Sequence, residues 1–584
     1  MKTPSSVTSD KVPYQYFEAY RFWKLGYCGQ NVNIGIFDTG LNLHNVHFKY
    51  TNISYLQDYT SEKLSSSEDI DGNGHGSFVA AVIGASPYKI RNEYFSRILF
   101  RPKNTLERCP IIGLAPLSTM YIFKVFTDNQ VSKTDWFLEA FDEAIKQRVE
   151  VINLSIGGPD YMDYPFIEKI KEITSHDILL VSAIGNDGPN LGSLSNPGDQ
   201  LEVLSVGGLD KSTNKLASYS SRGMTLWELE YGGYGRVKPD IVALSEDIIS
   251  AKVENDFVLL SKMNFLSEYD ENQNCQKLSG TSVASPIVTA AVSLIINSIK
   301  SKRNYLDAFE KATNMEKPPL NPASIRQILM ASANILPNYS MFEQGSGVLD
   351  IDKALRLSRI FKPQVTLFPS YLDFTESPYM WPYSYQSIYL KSQPVIANIT
   401  ILNSMSVEGR IIDKPVYHPI ISKYGDCLII KAQTPTLIYP YFGWMAISIE
   451  VNGNLENCKN SNFIAEGYIS LTVVSQSIYP ESTPYRSDVK FPIRVSVISR
   501  PRKEKIILWD QFHNINYPPF FIPKDDLVTN SINALDSFGD HIHTNFKDLF
   551  IYLRNQGYFV EILNKPMTQV NLEEYGSFPT IIFI

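Results

Sequence analysis

Two patterns of apolar residues divide the chain. From about Gly29 to Lys353, short apolar runs alternate with segments of helical period. The runs Val32–Phe37, Met120–Phe126, Val149–Ile156, Ile178–Ala183 and Leu201–Val206 are apolar at nearly consecutive positions, which predicts strands buried on both faces. Amphipathic segments lie between them. The clearest is 132–149, where Phe137, Phe141, Ala144 and Ile145 fall on one face and Ser132 stands at the expected cap. Strand and helix in alternation predict a parallel sheet with helices on both sides.

After about Phe361 the helical period disappears, Pro and Tyr rise, and short alternating strands such as Ala397–Leu402, Leu428–Ala432 and Met445–Val451 follow one another. That pattern predicts a β-sandwich. The charged stretch Pro501-Arg-Lys-Glu-Lys505 reads as a linker. Beyond it, Ile506–Trp509, Thr544–Gln556 and Tyr558–Leu563 read as strand, helix and strand, and Pro579–Ile584 as a buried strand cut short. The expected fold is α/β: a parallel sheet sandwiched by helices, followed by a β-sandwich and a truncated second α/β domain. The expected divisions are an N-terminal extension at 1–28, the first α/β domain at 29–360, the sandwich at 361–500 and a partial α/β domain at 501–584.

Composition narrows the function. With 584 residues, 44% apolar and 20% charged, the chain has the balance of a folded multidomain protein. A net charge of -8 argues against nucleic acid, whose phosphates need a concentrated basic face. The five cysteines (Cys28, Cys109, Cys275, Cys427 and Cys458) lack zinc-site spacing, and their odd number leaves at least one thiol without an intramolecular partner. Residues 1–10 lack the apolar core of a secretory signal. The longest apolar stretch, Val283–Ile296, is interrupted by Ser285, Pro286, Thr289 and Ser293 and suits a buried helix better than a membrane span. Neither a signal peptide nor a transmembrane segment is therefore expected within these residues, and both ends are expected to be incomplete.

Three local motifs supply the parts of an acyl-transfer site. A serine hydroxyl is a weak nucleophile at neutral pH, so it needs an imidazole to take its proton and a carboxylate to orient that imidazole. Asp38 ends an apolar run in Phe37-Asp-Thr-Gly40, at the carboxyl edge where parallel sheets present functional groups. His75 lies in Gly74-His-Gly-Ser77, just ahead of the helical run Phe78–Ala85. Ser282 lies in Gly280-Thr-Ser-Val-Ala-Ser-Pro286 and opens a long apolar helix, with Pro286 in its first turn. The order Asp, His, Ser differs from that of chymotrypsin and of the α/β-hydrolases. Asn186, in Ser182-Ala-Ile-Gly-Asn-Asp-Gly188, could donate its amide to a tetrahedral oxyanion together with the Ser282 backbone N–H. Ser155, Ile156, Gly157 and Gly158 follow another buried strand and are small enough to let an extended substrate backbone pair beside them.

Each part has a plainer explanation. Asp-Thr-Gly also marks aspartic proteases, but those pair two such motifs and no second one occurs here. A histidine among glycines is more often a turn residue, as is an asparagine before Asp-Gly. The combination, in order and at strand ends and helix starts, outweighs these separate explanations. His541 and His543 could form a metal pair but lack a third ligand, so they read better as polar residues at a helix entry. Sequons occur at Asn52, Asn338 and Asn398, and at Asn153, which falls in a predicted buried strand.

These motifs resemble those of the subtilases. So do Phe126-Thr-Asp-Asn-Gln130, Asn153-Leu-Ser-Ile-Gly-Gly-Pro-Asp160, Ser220-Ser-Arg-Gly-Met224 and, past the first domain, Pro378-Tyr-Met-Trp-Pro-Tyr383, Leu508-Trp-Asp-Gln511, Asn516-Tyr-Pro-Pro519 and Gly539-Asp-His-Ile-His-Thr-Asn-Phe546. The downstream segments are similar to those of a membrane-anchored Golgi member of the proprotein convertase group. The resemblance implies a serine endopeptidase of the Golgi or ER lumen that cuts luminal loops of membrane-bound transcription factor precursors. It implies a basic residue four positions before the cut and an aliphatic residue two before it. It also implies calcium, with no ligands assignable, a prosegment serving as inhibitor and folding aid, and an anchor outside these residues. Stretches near Pro87–Glu107 and Val253–Asn274 read as insertions relative to the family. Ser377 and Ser384 stand where the resemblance implies cysteines. Two rival expectations are a broad-specificity subtilase and a catalytically silent scaffold that binds membrane proteins through the later domains.

Overall fold

A computed structural model describes residues 18–60, 70–87, 111–155, 157–158, 164–210, 212–225, 234–253, 274–310, 320–459, 462–476, 483–513, 541–544, 546–563, 565–572 and 580–583. The two expected insertions and Ile156 fall largely or wholly outside these residues.

The first domain is built on seven parallel strands: β1 (Asn33–Asp38), β2 (Asn52–Asp58), β3 (Thr119–Lys124), β4 (Val151–Leu154), β5 (Leu179–Ala183), β6 (Leu204–Asp210) and β7 (Ile241–Leu244). They lie in the order β7-β6-β5-β4-β1-β3-β2, with the short strand Lys215–Leu216 antiparallel to β6. Strand β1 is therefore central and buried from both sides. Ile34 and Ile36 join one apolar cluster with α1 (His75–Gly84) and α4 (Thr281–Glu310). Phe37 joins the other with α2 (Thr134–Lys146) and α3 (Tyr164–Ser175). The Phe37 ring stacks on Phe123 at 4.6 Å between centroids, and Phe141 lies 4.8 Å away. Truncating Phe37 to alanine would leave a cavity in this cluster and cost about 3–5 kcal/mol.

Several local expectations are corrected. Helix α2 begins at Thr134 after an N-cap Lys133 that makes no side-chain cap. Ser132 instead donates its hydroxyl to the Val125 carbonyl at 2.5 Å, because the turn from β3 folds back over it. Helix α4 begins at Thr281, so Pro286 sits in its second turn and supplies no N–H to the Ser282 carbonyl four residues back. The segment before Gly29, expected as an extension, is packed into the protein. Phe22 and Trp23 are buried in the cluster around α1 and α4, and Trp23 Nε1 donates to the Leu114 carbonyl at 2.9 Å. Among the described residues only α4 is long and apolar enough to cross a membrane, over the 21 residues Thr281–Ser301. Ninety-four per cent of its most apolar window is buried inside the fold, which makes it a core helix.

The second domain pairs two sheets. One contains Val365–Phe368, Val395–Asn403, Phe442–Val451 and Leu428–Gln433, all antiparallel. The other is built on the long hairpin Phe463–Ser475 and Tyr485–Ile498. Ile399, Ile401, Met445, Ile447, Ile469, Phe491 and Val495 fill the space between them. Cys427 and Cys458 form a disulfide across this domain, Cys275 is also disulfide-bonded, and Cys28 is a buried free thiol that burial pushes up to about 12. In the last domain, Ile506–Asp510 lies between Phe559–Leu563 and Thr580–Phe583, all parallel, with α-helix Lys547–Asn555 preceding the second of these.

Candidate active site

The carboxyl edge of the central strand carries the first pair. Asp38 is the last residue of β1, 1% exposed, and its Oδ1 accepts from the Thr39 backbone N–H at 2.8 Å. The same oxygen meets His75 Nδ1 at 2.7 Å. His75 is the first residue of α1, and Gly74 before it adopts φ 89°, a left-handed turn that a side chain would strain. The His75 side chain is 14% exposed. Its burial alone would favour the neutral ring, but the charge and hydrogen bond of Asp38, with Asp71 behind, outweigh that and raise its pKa above the ordinary value. An imidazole tethered through Nδ1 to a buried carboxylate leaves Nε2 to accept a proton.

The second pair sits at the start of α4. Ser282 is half-buried in the first turn of that helix. Asn186 is exposed on the loop after β5, and its Oδ1 accepts from the Thr281 backbone N–H at 2.9 Å and from the Thr281 hydroxyl at 3.0 Å. A backbone N–H can only donate, so the atom facing it must be the amide oxygen, and Nδ2 is turned the other way. Gly280 lies between the two side chains at φ 152°. A Cβ there would approach Ser282 Oγ to 3.1 Å and Asn186 Nδ2 to 3.5 Å, so the missing side chain keeps open the space the hydroxyl and amide share. Among the described residues no hydrogen bond joins His75 to Ser282. Such bonds in apo enzymes commonly tighten only when substrate is bound.

Buried polar bonds fix the depth of α4. Asn153 on β4 is fully buried, and its Oδ1 accepts from Ser285 at 3.0 Å and Thr289 at 2.8 Å, one and two turns along α4 from Ser282. Its Nδ2 donates to Ser155 Oγ at 2.8 Å. The Asn153 sequon is therefore internal.

The segment expected to pair with substrate is partly engaged within the chain. Gly158 N–H donates to the Asn196 carbonyl at 3.0 Å, and Asn196 N–H donates back at 2.7 Å. A Cβ on Gly157 would come within 2.7 Å of the same carbonyl. Ser155 is 2% exposed.

Among the described residues no group of three or more His, Cys, Asp and Glu side chains is placed to hold a metal ion. No ligands are assigned to the expected calcium, and no step below is routed through a metal. His541 and His543 are buried side by side, and His541 Nδ1 accepts from the His543 backbone N–H at 3.0 Å. The His543 ring stacks on Tyr234 of the first domain at 5.0 Å and meets Trp381 of the second edge-on at 5.5 Å. They are packing residues of an interdomain seam.

Three positions beside the site were missed by sequence reasoning. Thr281 orients Asn186, Asp71 receives four hydrogen bonds beside His75, and the fully buried Lys124 donates to the Thr39 carbonyl at 2.7 Å. Only Asp71 left a trace, as an acidic residue four places before His75.

Comparison with known proteins bears on each domain. A family model described as "Subtilase family" matches residues 29–347. Models described as "MBTPS1, third Ig-like domain" and "MBTPS1, fourth GATase-like domain" match residues 368–500 and 501–582. The chain is 42% identical over 565 residues to the membrane-bound transcription factor site-1 proteases of Rattus norvegicus and Homo sapiens, alignments that cover 96% of this chain and 47% of each relative. It is 40% identical over 563 residues to the subtilisin-like protease SBT6.1 of Arabidopsis thaliana, covering 96% of this chain and 48% of that one. The chain thus spans about half the length of these relatives.

Proposed function

Because the chain belongs to the subtilase family, we propose that it is a serine endopeptidase with Asp38, His75 and Ser282 as its catalytic triad and Asn186 as an oxyanion donor. The observation that carries this reading is the coupled geometry of the two pairs. Asp38 holds His75 at 2.7 Å, and Thr281 turns the Asn186 amide so that its N–H groups and Ser282 Oγ border one space.

The steps follow from those positions. His75 Nε2 takes the Ser282 proton as Oγ attacks the scissile carbonyl carbon, whose oxygen becomes negative and is met by Asn186 Nδ2 and the Ser282 backbone N–H. Asp38 stabilises the resulting imidazolium without taking its proton. The imidazolium then protonates the leaving amine, leaving an acyl ester on Ser282. Water, deprotonated by His75, attacks that ester, and Ser282 recovers its proton as the new carboxylate leaves. The backbone at Ser155–Gly157 is the proposed pairing edge for substrate, with Ile156 outside the described residues. Gly158 contributes less, since Asn196 holds its N–H and carbonyl.

Substrates are proposed from the relatives' names and the family resemblance: luminal loops of membrane-bound transcription factor precursors, cut after a basic-x-aliphatic-x sequence. A lumenal, Golgi or ER setting is supported by the Cys427–Cys458 disulfide and the bonded Cys275, since such bonds persist in oxidising compartments. The sequon at Asn338 is exposed and suits glycosylation, whereas Asn52, though exposed, donates its Nδ2 to Thr119 Oγ1 at 2.8 Å, and Asn398 is half-buried and donates to the Tyr234 carbonyl at 2.6 Å. Calcium and a prosegment in trans belong to the proposal through the resemblance alone.

The test is a peptide-library digest by the full chain supplied with a subtilase prosegment, with calcium or chelator, beside Ser282→Ala. Ser282-dependent cuts with the basic and aliphatic preference support the whole reading. Unselective Ser282-dependent cutting removes the substrate assignment, and hydrolysis that survives Ser282→Ala removes the mechanism.

A further inference from the structure

Beyond the triad, one buried carboxylate stands against the helix that carries the general base. Asp71 is 1% exposed and lies in the loop Asp71–Gly74 ahead of α1. Its Oδ1 accepts from Thr39 Oγ1 at 2.8 Å and from the Gly74 N–H at 2.8 Å. Its Oδ2 accepts from the Ser77 N–H at 2.8 Å and the Ser77 hydroxyl at 2.7 Å. Thr39 closes the loop: its hydroxyl oxygen accepts from the Gly76 N–H at 2.9 Å, and its own N–H donates to Asp38 Oδ1. Four donors converge on one side chain, two on each oxygen. Only an acceptor-only group meets them all, since an asparagine would turn its NH2 toward two donors. The group is thus a carboxylate, and the first turn of α1, with its outward N–H groups, is a favourable place for negative charge.

Resting on the protease reading above, we propose that Asp71 is a positioning residue for His75: it pins the first turn of α1 to the end of β1 through Thr39 and Ser77, and places a second buried negative charge behind the imidazole. The chain of bonds runs from Asp71 through Thr39 to the carboxylate His75 uses, so a shift of Asp71 moves both partners of the Asp38–His75 bond. Lys124 braces the far side. Its Nζ donates to the Thr39 carbonyl at 2.7 Å and to Asp128 Oδ1 at 2.7 Å, while Asp128 Oδ1 accepts from the Gly72 N–H at 3.2 Å.

Among the described residues the charges around the ring are few. Asp38 faces it from β1 and Asp71 from the loop, and both favour the imidazolium. The Lys124–Asp128 pair from the end of β3 is directed to the Thr39 carbonyl and Gly72. The strand Ile248–Ala251, packed on α1, carries no charge, and Lys252 just beyond it is exposed. The first turn of α4, Thr281–Ala284, carries none either. Asp71 is thus the one anion behind His75, apart from its triad partner, that is not already matched by a cation among these groups.

The test uses the full chain with prosegment in trans and compares Asp71→Asn with Thr39→Val. Asp71→Asn should lower kcat by roughly 10- to 100-fold, the scale of a small misplacement of a catalytic group. It should also move the acid limb of kcat/KM to lower pH, because losing the negative charge makes His75 easier to deprotonate. Thr39→Val breaks the link while keeping every charge, so it should lower kcat similarly and leave the limb in place. An acid limb for Asp71→Asn that coincides with that of wild type overturns the proposal, as does an unchanged kcat in Thr39→Val. If Asp71→Asn does not fold, the Thr39→Val result decides. Wild-type hydrolysis that persists in Ser282→Ala would instead overturn the protease reading, so the two failures are distinguishable.

Discussion

The Thr281 N–H donates to Asn186 Oδ1 at 2.9 Å, and that contact decides which end of the Asn186 amide faces Ser282. A donor fixed in advance loses no orientational freedom when charge develops on the substrate oxygen, which is why such groups contribute strongly to acyl transfer.

Asn186→Ala should therefore lower kcat by roughly 100- to 1000-fold, the effect of removing one side-chain donor from a subtilisin oxyanion hole, with KM little changed. Steady-state kinetics on a single peptide checks it. An effect carried in KM alone would place Asn186 in substrate binding.

The pH dependence follows from His75. Burial disfavours its charged form, but Asp38 and Asp71 more than compensate, so its pKa lies above the ordinary value. The ring must be neutral to act as base, so activity should rise with pH and reach its half-maximum above about 6.5. The same shift stabilises the fold at pH below the ordinary histidine value, a contribution lost as pH rises through the raised one. A pH–kcat/KM profile locates the limb.

The interdomain seam should respond in the opposite direction. Burial lowers His541 to about 3 and His543 well below its ordinary value, with His541 adding to the latter. Both are neutral in the fold and would charge in the unfolded chain below about 6.5. Their contribution should be present above that pH and lost progressively as pH falls toward 3. Thermal unfolding of wild type should weaken over this window, and His541→Phe with His543→Phe should flatten the dependence. Equal slopes in both would remove the seam from the account.

Removing the Cys427–Cys458 disulfide, which spans 31 residues, should destabilise the sandwich by about 2–4 kcal/mol. Differential scanning calorimetry of a Cys427→Ser, Cys458→Ser variant measures it, and the transition of the first domain should move less.

Much of this was legible in the sequence, for identifiable reasons. Strands buried on both faces leave unbroken apolar runs, so β1, with Ile34, Ile36 and Phe37, was found nearly to the residue. The places of the proposed site residues follow from short motifs: Asp38 ends β1, His75 opens α1, Ser282 lies in the first turn of α4, and Asn186 lies on the loop after β5. Ser132 and Pro286 were misplaced because helix starts are set by where the preceding chain folds back, information that lies outside the local pattern. Thr281 and Lys124 act through partners 95 and 85 residues away, which no local spacing encodes, and Asp71, although bonded locally to Gly74 and Ser77, reaches Thr39 32 residues back. The His541–Tyr234 seam joins residues of separate domains and was equally hidden.

The most direct test of the account is covalent. A fluorophosphonate probe reacts with a serine only where a base removes its proton and donors stabilise the developing charge. The account predicts that mass spectrometry of the labelled, folded chain finds the adduct on Ser282, and that His75→Ala abolishes it. A folded wild-type chain that takes no label, or takes it on another serine, would contradict the assignment of Asp38, His75 and Ser282 as a working triad.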